Sequence, residues 1–122
     1  MSLKQSSKES SGERENLFHV TSDCWHRERD RACLRVEVGA DEVFIFSYQQ
    51  LLGAHHLRTN DETLKITLST HEVTLNGHRL EKLLSALQDF AVDWIRPLPP
   101  RYHDLGENGE PVITRIDVKV VE

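Results

Sequence analysis

The chain has 122 residues, two cysteines and a formal net charge of −5 with neutral histidines. That length suits one domain with a core that needs no covalent staple. The acidic balance excludes general nucleic-acid binding and adhesion to anionic lipid, and no apolar run approaches the ~20 residues that span a bilayer.

Residues 1–16 are rich in Ser, Lys, Glu and Gln, and past the initiator Leu3 is their one apolar residue. Burial cannot offset the ordering of such a segment, so it is expected to be a flexible tail before a single domain over 17–122. It also lacks the apolar stretch of a secretory signal, which leads to the expectation of a cytoplasmic, reduced protein.

Residues 17–20 predict a short strand. Residues 24–38 predict a hairpin with a charged tip, His26-Arg27-Glu28-Arg29-Asp30-Arg31. In its second arm Leu34, Val36 and Val38 point one way, Arg35 and Glu37 the other. Gly39-Ala40-Asp41 makes a tight turn. Residues 43–48 carry Phe44, Ile45 and Phe46 on both faces, as a central strand or one crossing a barrel would.

Residues 49–52 predict a helical turn ended by Gly53, and 54–58 a returning strand. After Thr59-Asn60-Asp61-Glu62, residues 63–69 and 72–75 predict a second hairpin around Thr70-His71. Leu64, Ile66 and Leu68, then Val73 and Leu75, alternate with polar neighbours as half-buried strands do. Asn76-Gly77 supplies an exit turn. A helix is expected over 79–95, because Leu80, Leu83, Leu84, Leu87, Ala91, Trp94 and Ile95 fall at helical steps. Pro97, Pro99 and Pro100 forbid its continuation. Residues 97–109 form a loop, and 111–121 a last strand with Val112, Ile116, Val118 and Val120 on one face.

Short turns cannot join parallel neighbours, so the sheet should be mainly antiparallel. The expected fold is α+β: an antiparallel sheet or partly open barrel of about six to seven strands, covered by one long C-terminal helix. Meandering strands followed by a C-terminal helix resemble the pleckstrin-homology-like architecture in element order. What that resemblance implies is confined to the fold.

Seven histidines invite a search for a metal or catalytic centre: His19, His26, His55, His56, His71, His78 and His103. His55 and His56 are adjacent, so on a strand they face opposite sides. His71 and His78 flank the strand between them. A site gathered in three dimensions would draw on His55, His56, His71, His78 and His103. Cys24, His26 and Cys33 lack the second ligand pair of a zinc ribbon. Cys33 reads as a small apolar group, with a Cys24–Cys33 disulfide across the hairpin as the alternative.

Ser69-Thr70-His71-Glu72 sets a hydroxyl, an imidazole and a carboxylate around a turn, where they splay and satisfy backbone groups. Gly106-Glu107-Asn108-Gly109 precedes a proline and offers no phosphate cradle. Asp89 and Asp93 lie on the wet side of the predicted helix. Asp104, Glu107 and Glu110 lack the spacing of a calcium loop. No metal or cofactor is expected.

The charged tip is the best candidate for a binding patch. Along a strand Arg27, Arg29 and Arg31 share one face and can clasp a carboxylate or phosphate, while Glu28 and Asp30 take the other. Trp25 stands beside them, an association common at interaction surfaces. The competing reading is a hairpin solvated by cross-strand ion pairs. Phe44, Phe46, Phe90 and Trp94 are expected in the core. The expected function is a small non-catalytic module that binds a protein partner, its own copy or a small ligand. The alternative is an enzyme or metal protein using the gathered histidines.

Overall fold

The computed structural model describes residues 23–99 and 110–121, and among these residues are eight strands and one helix. In chain order they are β1 (Trp25–Arg27), β2 (Cys33–Glu37), β3 (Val43–Ser47), β4 (Leu51–Leu57), β5 (Glu62–Leu68), β6 (His71–His78), α1 (Glu81–Gln88), β7 (Val92–Ile95) and β8 (Val112–Val120). A 3-10 turn over Tyr48–Gln50 joins β3 to β4. The expected tail over 1–16, the strand over 17–20 and most of the loop after Pro97 lie outside the described residues.

The fold is α+β, with two antiparallel-rich sheets of four strands each in place of one sheet or barrel. Sheet one has the order β1-β7-β2-β3, and sheet two the order β4-β5-β6-β8. Every pairing is antiparallel except β2 with β7, where Arg35 and Val36 lie beside Trp94 and Ile95. One apolar cluster fills the interior: Leu34, Val36 and Phe46 from sheet one, Leu64, Ile66, Val73, Leu75 and Ile116 from sheet two, and Leu83 and Leu87 from α1.

The helix is the main correction. It has eight residues, not the span 79–95, and two strands follow it, so the pleckstrin-homology-like order is not kept. Phe90 ends it by adopting φ 54°, and Ala91 and Phe90 then donate to the Ala86 and Leu87 carbonyls. That is the left-handed helix cap usually built on glycine. Val92–Ile95 then become a strand whose Val92 and Ile95 are buried, so Ile95 and Trp94 belong to sheet one. Phe90, expected in the core, is 49% exposed.

β3 is an edge strand and is not covered on both sides. Phe44 and Phe46 turn inward and stack on each other, while Val43 and Ile45 face out, Ile45 at 67% exposure. The segment 24–38 is not a hairpin either, because β7 lies between β1 and β2. The link between those strands docks on the loop after α1: the Glu28 N–H reaches the Ala91 carbonyl and the Arg31 N–H that of Phe90. Gly53 caps no helix and sits in β4 beside an irregularity in the β4–β5 register. Asn76-Gly77 lies inside β6, where a bulge brings β8 so close that a Cβ on Gly77 would collide with the Val112 carbonyl.

Candidate functional site

The start of α1 is fixed from another strand. Arg79 has φ 54°, and the residue at the helix cap, Leu80, has no side-chain oxygen to offer the first N–H groups. Glu62 of β5 instead fixes the two residues that lead into the helix, Arg79 and the cap residue Leu80. Its carboxylate accepts the N–H groups of Arg79 at 2.8 Å and Leu80 at 3.0 Å, and Nε2 of His56 at 2.9 Å. Burial pushes the Glu62 carboxyl upward, but the hydrogen bonds from Leu80, His56 and Arg79 outweigh it and hold it below its ordinary value. The His56 side chain is 4% exposed, and its Nδ1 is buried without a hydrogen-bond partner.

With α1 held in this way, a groove of about 810 Å³ opens between it and β1, lined by Trp25, Arg27, Arg79, Glu81, Lys82, Ser85 and Glu110. Two of its residues, Trp25 and Arg27, belong to the predicted patch. The other two do not join them. β1 stops at Arg27 and the chain turns through Asp30 at φ 57°, so Arg29 and Arg31 leave the row. Arg27 lies 3.6 Å from Asp89, and Arg31 3.7 Å from Asp93, which also holds Nδ1 of His26 at 3.2 Å. These pairs are of the ion-pair kind weighed against a binding row, but the acids come from the end of α1 and from β7.

Arg79, Lys82 and Glu110 complete the groove and were not among the expected site residues. Lys82 Nζ meets the Glu110 carboxylate at 2.7 Å, and Arg79 Nε donates to the Glu110 carbonyl at 3.1 Å. Spacing gave no signal for them, because Arg79 leaves helical geometry at φ 54° and Glu110 comes from the far end of the chain.

The histidines stay apart. His55 is exposed on β4, and His56 points to the other face of the same strand. His71 packs its ring against Phe44 and Phe46, with Nδ1 2.7 Å from the Thr70 hydroxyl. His78 closes the far end of β6, about 23 Å along the strand from His71. His19 and His103 lie outside the described residues, as do Asp104 and Glu107. Among the described residues no cluster of three or more His, Cys, Asp or Glu could hold a metal ion.

Both cysteines are free thiols. Cys24 is buried and donates to the Pro111 carbonyl at 3.3 Å, and burial pushes its thiol up to about 11. Cys33 is exposed. A second cavity of about 390 Å³ lies among Glu37, Gly39, Ala40, Arg96, Pro97, Leu98 and Pro99. There Arg96 lies over the Trp94 ring at 4.9 Å and donates through Nε to the Asp23 carbonyl. Among the described residues no helix is long and apolar enough to cross a membrane. No protein-family model, curated protein or solved structure matches the chain.

Proposed function

We propose that this domain is a non-catalytic binding module that receives an acidic peptide segment of a partner protein in the groove between β1 and α1. The observation that carries this reading is the lining of that groove. Three cations, Arg27, Arg79 and Lys82, line it with Glu110 beside the half-buried ring of Trp25, while the remaining carboxylate, Glu81, pairs with Arg58 outside the groove. Glu110 already engages Lys82 as a visiting carboxylate would. The Arg27–Asp89 pair is long and exposed on both sides, so a ligand carboxylate displaces it at little expense in free energy. Trp25 offers an apolar wall for the side chain next to that carboxylate.

A net charge of −5 opposes general nucleic-acid binding, and an exposed unpaired thiol at Cys33 fits a reducing, cytoplasmic setting. An enzyme or metal protein built on histidines has less support, because the described histidines are spread along β1, β4 and β6.

Amide chemical-shift mapping with an alternating Asp-Leu peptide, and with its Lys-Leu counterpart, tests the proposal. The acidic peptide should shift the Trp25 indole and the amides of Arg27 and Ser85, and Arg27→Glu should abolish the response. Equal response to both peptides, or none at millimolar concentration, would sink it.

A further inference from the structure

We infer that β8 is a self-pairing edge, and that two copies of this chain join across it in antiparallel register centred on Val118. Among the described residues β8 lies at the border of sheet two, with β6 on one side. The Val121 N–H donates to the Thr70 carbonyl of the β6 side, so the odd-numbered residues of this stretch direct their backbone groups inward. Ile116, Val118 and Val120 therefore turn their N–H and C=O groups to the free border. Their side chains line the inner face, where coverage fades from buried Ile116 through half-buried Val118 to Val120 at 68% exposure. A border that no described residue covers is a template for another strand.

The charges choose the occupant and the register. Arg115, Asp117 and Lys119 are exposed on the outer face of β8. Hydrogen-bond parity requires even-numbered residues to meet even-numbered ones. A two-fold axis at Asp117 sets Asp117 against its own copy and Arg115 against Lys119. An axis at Lys119 sets that lysine against itself. Like charges at directly opposed positions repel. An axis at Ile116 needs the border at Ile113, whose carbonyl already accepts the Leu98 N–H. An axis at Val118 uses only 115–121, and sets Asp117 opposite Lys119 of the second copy twice. These are the close, non-hydrogen-bonded positions, where side chains approach most nearly. Val118 then meets Val118, and Val120 is covered by Ile116 of the second copy. About six N–H···O=C bonds close the border.

Two other borders expose apolar residues: β4, with Leu52 and Leu57, carries no acid–base pair to fix a register, and β3 has five residues and no charge among them. A second copy at β8 is thus favoured over pairing at β4 or β3.

Sedimentation velocity at micromolar concentration tests the inference. The parent chain should be a dimer. Asp117→Lys alone, or Lys119→Asp alone, sets like charges opposite one another and should weaken the dimer by about tenfold or more. The double variant Asp117→Lys/Lys119→Asp should restore it. Both side chains are exposed, and unchanged circular dichroism confirms that the variants fold. A monomeric parent chain would overturn the inference. So would a dimer indifferent to the single charge reversals but lost on Ile45→Glu.

Discussion

The Tyr48 hydroxyl meets one residue twice: it donates to the Val92 carbonyl at 2.7 Å and accepts the Val92 N–H at 3.0 Å. It pins the turn after β3 to β7. Tyr48→Phe leaves both backbone groups of Val92 without that partner, and should cost about 1–3 kcal/mol in urea denaturation at neutral pH. Burial pushes the phenol up to about 12, against an ordinary value of 10.0, with the Val92 hydrogen bond opposing and the Asp93 charge assisting the rise. The folded chain keeps that proton where the unfolded chain has lost it. Stability from this group is therefore complete below pH 10 and falls as pH climbs toward 12, a slope that Tyr48→Phe should remove. Glu62 has the opposite sign. Its folded value is depressed, so its contribution is present above the ordinary 4.5 and is lost as pH falls through the folded value. Glu62→Gln should lose about 1 kcal/mol at neutral pH, as a missing helix cap does, and flatten the acid limb of a stability–pH profile. Glu62 was legible as turn chemistry. Its service to a helix that starts beyond the next strand was not, because capping residues are normally found beside the helix they cap.

Among the elements, α1 shows best where periodicity succeeds and where it fails. Its apolar face was readable: Leu83 and Leu87 are buried at helical steps. Its end was not. Ala91, Trp94 and Ile95 continue the helical spacing, and the break lies in the positive φ of Phe90, a residue type that rarely signals one. β5 and β6 were legible because strict alternation has one interpretation. The border position of β3 was not, since a run of Val43, Phe44, Ile45 and Phe46 reads alike for a strand covered on both faces. Three substitutions test the elements as built. Leu87→Ala should cost about 2–5 kcal/mol and Leu84→Ala less, because Leu84 is only half-buried. Gly77→Ala should cost about 3 kcal/mol or more, because β8 must move to admit the methyl group. A loss below ~1 kcal/mol at Gly77 would contradict the close approach of the two strands.

Over the whole molecule, contacts between distant segments define both the core and the candidate groove. Trp25 and Arg27 were legible as a pair, but Arg79, Lys82 and Glu110 reach them only through the fold. Cys24 touches Pro111 across nearly the full described length, whereas Cys33 stands in solvent. Thiol titration of the reduced chain should therefore find one fast cysteine in the native state and two in denaturant. Two fast thiols in the native state would mean that Cys24 is not packed against the start of β8. The placement of β7 has a consequence for how the protein is made. Synthesis produces β1 and β2, the flanks of the slot, long before Val92–Ile95 emerge to fill it. β4, β5 and β6 can zip as neighbours, but Trp25 must wait for Ile95. Closure over so long a loop is slow, on the order of milliseconds to seconds. Trp25 and Trp94 both sit in the sheet that closes last, so in stopped-flow refolding their fluorescence should lag the growth of strand signal.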